Sequence, residues 1–165
     1  MQARIDNPAL TVPGALKAFQ ELGSAVRRSD VPATTLYLVE LRASQINGCS
    51  ICVEIHSHEL KLAGEPDHRI HAVAAWRETP YFTEAERATL ALTEAATRLA
   101  DRPDPVSDDV WDEAARHYDE AQLAALVIAI ATINAFNRIN ATTRQITGDG
   151  TREWVEQNQH AQQAA

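Results

Sequence analysis

Apolar residues recur at steps of three and four along most of this chain, and that spacing constrains the fold more than any other feature. Ala15, Phe19, Leu22 and Val26 form one such stripe; Leu36, Val39, Ala43 and Ile46 form a second; Ala85, Ala88, Leu92, Ala95 and Leu99 form a third. Each is one face of a 3.6-residue helix. Alternating runs of Val, Ile and Thr bounded by turns, which would signal strands, are absent from the sequence. Start and stop signals agree with the stripes. Pro32 falls where a first turn tolerates a missing N–H, and Thr83 and Glu86 have capping-box spacing. Ser107, and Asp119 with Gln122, read as further N-caps. Asn47-Gly48, Gly64-Glu65-Pro66, Thr79-Pro80 and the segment 102–105 are breakers. These signals predict helices over about 13–28, 31–46, 49–63, 66–77, 83–101, 107–117 and 120–143. Short connections join them, so the expected fold is all-α: a single compact domain, 1–165, of about six to seven helices. The polar segment 157–165 is expected to be a flexible tail, with Trp154 packed ahead of it.

Composition fits that expectation. At 165 residues the chain is long enough to bury a sizeable core. With 45% hydrophobic and 23% charged residues it has the balance of a globular domain rather than a disordered one. Lys and Arg number 15 against 23 Asp and Glu, a net charge of -8, which argues against nucleic acid and anionic membrane surfaces as partners. The N-terminal residues lack the apolar core of a signal peptide. The longest apolar run, from Leu123 to Ala131, reads as a buried helix too short and too polar to span a bilayer. A cytoplasmic location is expected.

The chemistry concentrates in one segment, Asn47-Gly48-Cys49-Ser50-Ile51-Cys52-Val53-Glu54-Ile55-His56. Its cysteines are the only 2 in the chain. A bridge across two intervening residues closes too small a loop to add much stability, so the pair points to redox or metal chemistry. Gly48 suits the left-handed end of one helix, and Cys49 opens the next. At about 100° per residue, with Cys49 at zero, Cys52 falls at about 300° and His56 at about 340°. Val53 and Leu60 share that face, whereas Glu54 and His58 do not. Cys52 and His56 are four apart, so their side chains can meet. A helix N-terminus favours a thiolate, a nearby imidazole can take its proton, and a second thiol can trap an oxidised sulfur as a disulfide. The dipole favours Cys49 as the anion; the histidine favours Cys52. A zinc site built from Cys49, Cys52, His56 and either His58 or the pair His68 and His71 is the competing arrangement. One continuous helix is an unusual ligand frame, and His58 points about 160° away from His56.

The Asn-Gly-Cys-x-x-Cys-x-x-x-His string resembles the alkylhydroperoxidase D and carboxymuconolactone decarboxylase family. So do Leu41-Arg42-Ala43-Ser44-Gln45-Ile46 before it, Ala75-Trp76-Arg77-Glu78-Thr79-Pro80 after it, Ala88 to Glu94, and Ile128 to Arg138. The resemblance spans roughly residues 30–145. It implies an all-α fold assembled into dimers, trimers or hexamers. It implies hydroperoxide reduction by a dithiol–disulfide cycle, with Cys52 attacking the peroxide, Cys49 resolving and His56 in a proton relay. It also implies a dihydrolipoyl-type or thioredoxin-like reductant and no metal, haem or flavin. Two positions depart from the peroxidase pattern. The relay glutamate twelve residues before the first cysteine is Tyr37 here, and Glu40, one turn later on the same face, is the candidate to replace it. The histidine two residues after the first cysteine is Ile51. A thinner relay implies slow turnover, or a substrate other than a simple alkyl hydroperoxide. The alternative functions are lactone decarboxylation, which needs a carboxylate-binding acid–base pocket rather than two thiols, and a non-enzymatic redox-sensing or zinc-binding role. Trp76, Arg77 and Glu78 read as structural, an aromatic and an ion pair near a turn.

Overall fold

The computed structural model describes residues 2–148 except 101, together with 151, 153, 155 and 156. Trp154 and the segment 157–165 lie outside the described residues. Within them the chain forms eight α-helices and one 3-10 helix, with no strand. The helices are α1 (Pro8–Thr11), α2 (Ala15–Arg27), α3 (Ala33–Asn47), α4 (Ser50–Leu62) and α5 (Asp67–Ala72). The 3-10 helix (Val73–Glu78) follows, then α6 (Glu84–Thr97), α7 (Asp108–Ala115) and α8 (Glu120–Thr143).

The expected helices are present, with instructive differences. The four-residue α1 is additional, and the helix expected over 66–77 breaks at Ala75, whose φ of -124° and ψ of 34° leave the helical region. Arg87 explains the break: its guanidinium reaches from α6 to the carbonyls of Trp76, Arg77 and Thr79, satisfying them from outside the helix. The third stripe ends early, because α6 stops at Thr97 and leaves Leu99 exposed; Leu22 on α2 is exposed as well. Thr83–Glu86 and Asp119–Gln122 form full capping boxes, whereas the Ser107 side chain makes no capping bond.

α3 is the central element. It packs against α4, α8 and α6, and Leu36, Leu38, Val39 and Leu41 on its different faces are all buried. Each such side chain stabilises the fold by roughly 2 kcal/mol of apolar burial. α8 is 24 residues long and, by length and composition alone, apolar enough to cross a membrane. In the fold it runs along α3, α2 and α6. Its inner face carries Leu126, Ala129, Ile130 and Ile133 together with Asn134, Asn137 and Asn140. The asparagines tie α8 to the end of α3. Asn47 Nδ2 donates to Asn134 Oδ1 and Asn137 Oδ1, both at 2.9 Å. Asn137 Nδ2 donates in turn to Ser44 Oγ at 3.1 Å. These bonds hold the α3–α4 corner, where the two cysteines sit.

Candidate active site

Gly48 makes the corner. Its φ of 67° and ψ of 30° end α3 in the left-handed region, which suits glycine. The chain then turns so that Cys49 becomes the N-cap of α4 and Cys52 its third helical residue. N-cap and third-residue side chains face each other across a helix start, which is why capping boxes pair those positions. Here the two positions hold cysteines, their Cα atoms lie 5.4 Å apart, and their sulfurs form a disulfide. That separation is within the ordinary range for the bond. Both cysteines are 2% exposed and pack with Ala43 and Ile133. A cleft of about 640 Å³ opens beside Cys49, lined by Gly48, Ser50, Asn140 and Arg144 among others.

One turn beyond Cys52, His56 is buried at 8% exposure. Its Nδ1 donates to Glu59 Oε2 at 2.7 Å and lies 3.3 Å from Glu40 Oε2. Arg27, arriving from the end of α2, places its guanidinium 3.9 Å from Glu40 and 3.7 Å from Glu59. Four charged or chargeable groups thus share one interior pocket. With His56 protonated, two cations balance two carboxylates, so the imidazolium is the form that leaves the cluster neutral. Burial works against the charged ring, but Glu40 and Glu59 outweigh it, and the His56 pKa is raised. Burial also raises the Glu40 pKa; His56 and Arg27 pull it down and Glu59 adds to the rise. With Nδ1 held by carboxylates, Nε2 is the ring nitrogen left for proton exchange.

Of the four sequence-derived site residues, Cys49 and Cys52 meet in the disulfide, and Glu40 from α3 meets His56, which follows Cys52 by four residues on α4. Tyr37 does not enter the His56 contacts; it is buried under Arg27, whose guanidinium lies 6.0 Å from the ring centroid. Glu59 and Arg27 were not expected. Glu59 had a signal, since it follows His56 by three residues on the same α4 face. Arg27 had none, because only the tertiary fold brings α2 to this pocket. Glu40, His56 and Glu59 offer three metal-ligand atoms within 4.8 Å of one another, but Arg27 already supplies positive charge to both carboxylates. The histidines of the zinc arrangement lie elsewhere. His58 faces Glu156 at 3.2 Å, and His68 and His71 are exposed, with the His68 ring 4.8 Å from that of Tyr81.

The Trp76–Glu78 segment is structural in a different way from that expected. Arg77 pairs with Glu94 rather than with Glu78, and lies 4.0 Å over the Trp76 ring. Trp76 Nε1 donates to Glu94 Oε1 at 3.0 Å, and Arg42 Nη2 donates to the same oxygen at 2.6 Å.

The all-α bundle, with a Cys-x-x-Cys at a helix start, is that of the alkylhydroperoxidase D-like class. The chain belongs to the carboxymuconolactone decarboxylase family, whose model matches residues 13–95. That match begins earlier, just before α2, and ends earlier, in α6, than the span read from the motifs. The uncharacterized protein YdfG of Bacillus subtilis is 33% identical over 128 residues, 78% of this chain and 86% of that protein. A crystal structure from Agrobacterium tumefaciens, of a protein of unknown function named as a candidate antioxidant defence protein AhpD, is also 33% identical. It superposes with a TM-score of 0.83 over 89% of this chain and 99% of that one. The debrominase Bmp8, in complex with 2,3,4-tribromopyrrole, shares the fold: TM-score 0.75, 22% identity, 89% of this chain and 78% of that one.

Proposed function

We propose that this protein is a thiol-dependent hydroperoxide reductase that cycles Cys49 and Cys52 between dithiol and disulfide. The observation that carries the reading is a disulfide at the start of α4 with a buried histidine on the same helix whose Nδ1 is held by Glu59 and faced by Glu40. In the reduced protein His56 takes the Cys52 proton, directly or through a water, and the two carboxylates make the ring basic enough to keep it. The thiolate attacks the peroxide O–O bond. Cys52 becomes a sulfenic acid, and the departing alkoxide takes the proton from His56 and leaves as the alcohol. Cys49, one helical turn away, attacks the sulfenic sulfur; a disulfide forms and water is released. A dithiol reductant of the dihydrolipoyl or thioredoxin-like kind then opens the disulfide, becoming oxidised itself and restoring both thiols. The cleft beside Cys49 supports that sulfur as the one a reductant meets.

This cycle draws on a reducing pool, which supports a cytoplasmic location. We also read it as a homo-oligomer: α8 leaves Val127 and Ile128 exposed side by side, a surface that a second copy would cover. The test of function is hydroperoxide consumption with a dithiol as reductant. Wild-type protein is expected to turn over, and Cys52→Ser to be silent. Equal consumption by the two proteins would overturn the assignment.

A further inference from the structure

Asn140 projects from α8 into the thiol site and is buried at 8% exposure. Its Nδ2 lies 3.4 Å from Cys52 Sγ. An asparagine amide can be turned end for end, so which atom faces the sulfur must be argued from its neighbours. The argument starts at Ala9, whose backbone N–H can only donate. It donates to Asn7 Oδ1 at 3.0 Å. Asn7 must then present its NH₂ on the other side, and that group donates to Asn140 Oδ1 at 3.2 Å. Asn140 in turn must present its own NH₂ to Cys52. A backbone donor at the start of α1 thus fixes, through two side chains, an N–H aimed at one sulfur.

We infer that Asn140 is a catalytic residue of the thiol site, donating a hydrogen bond that stabilises Cys52 as a thiolate, and that Asn7 is the positioning residue that fixes its orientation. A disulfide sulfur is a weak acceptor, so the donor gains little in the oxidised form. Once the bond is reduced, the same atom carries the negative charge, and a hydrogen bond to a charged group is stronger than one to a neutral group. The contact also separates the two cysteines. The helix dipole favours Cys49, at the N-cap, but the amide and the His56 face favour Cys52. The inference rests on the proposed thiol chemistry, in which Cys52 is the attacking sulfur.

The test uses the Cys49→Ser protein, which leaves Cys52 as the sole thiol. The pH midpoint of its thiolate is read from the rate of alkylation by iodoacetamide, a probe that involves no peroxide. Asn140→Leu keeps the side-chain size and removes the donor without adding charge. Asn7→Ala removes the donor that holds Asn140 Oδ1, which releases the amide to flip. Both substitutions are expected to raise the midpoint, Asn140→Leu by about 1 to 2 pH units. At a pH below both midpoints this means at least roughly tenfold slower alkylation for Asn140→Leu. If Asn140→Leu does not fold, Asn7→Ala decides alone. An unchanged midpoint in the folded, uncharged variants would overturn the inference and leave Asn140 as a tether between α1 and α8. A raised midpoint in a protein that consumes no hydroperoxide would sustain Asn140 and sink the peroxidase reading, so the two failures are distinct.

Discussion

His56 shows how side chains from three helices set one proton affinity. Its ring is buried, which disfavours charge, yet Glu40 and Glu59 more than reverse that effect and the pKa rises. A raised histidine pKa means the ring holds a proton taken from Cys52 and still has it to give when an alkoxide leaves. Glu59→Gln removes the carboxylate that accepts from Nδ1 at 2.7 Å. The basic limb of the pH–rate profile for peroxide reduction is then expected to move down by about 1 pH unit, with a roughly tenfold loss of rate. A uniform loss with no movement of the limb would assign Glu59 to packing alone. Glu40 was legible in the sequence, because it shares a helical face with the position where the family pattern has its glutamate. Glu59 was legible in principle from its three-residue spacing to His56. Arg27 and Asn140 were not: their sequence separation from the partners they meet leaves no periodic trace, and only packing brings them in.

At the scale of elements, the corner between α3 and α4 does most to create the site. Local signals announced it: a glycine after Asn47, a cysteine at the next helix start, and the pair spacing that brings N-cap and third residue together. Gly48 has a φ of 67° with open space where a Cβ would project, so Gly48→Ala should cost only the left-handed backbone, about 1 kcal/mol. Denaturant unfolding measures this. A loss well above about 2 kcal/mol would mean that the corner also resists a shift of the cysteines. Helix existence was readable throughout because the stripes and capping boxes are local. The break at Ala75 was not, since its cause is the Arg87 guanidinium reaching from the next helix to three carbonyls. The two remaining surprises are exposed Leu22, on α2, and exposed Leu99, which lies past the end of α6 at Thr97.

Across the whole molecule, one buried carboxylate links three segments distant from the thiols. Burial opposes the charge on Glu94, but hydrogen bonds from Arg77, Trp76 and Arg42 outweigh it and hold its pKa at about 2. A carboxylate depressed on folding contributes stability that is present above its ordinary value, 4.5, and lost as pH falls through about 2. His56 acts with the opposite sign: its stabilisation is full below 6.5 and is lost as pH rises through its raised native value. Thermal melts across pH should therefore show two losses, one below about pH 4.5 and one as pH rises above 6.5. Glu94→Gln should remove most of the acid loss and lower stability at neutral pH by roughly 3 kcal/mol, because Arg42 is left without its partner. A neutral-pH stability equal to wild type would show that the ion pairs around Glu94 only offset their own desolvation.

A peroxide-driven thiol pair reveals itself in a count of free thiols. Reduced protein in metal-free buffer holds 2 cysteines per chain. One equivalent of hydroperoxide should remove both thiols together, with no crosslink between chains, while Cys52→Ser keeps its single thiol. Two thiols that stay reactive after the peroxide is added would contradict the account.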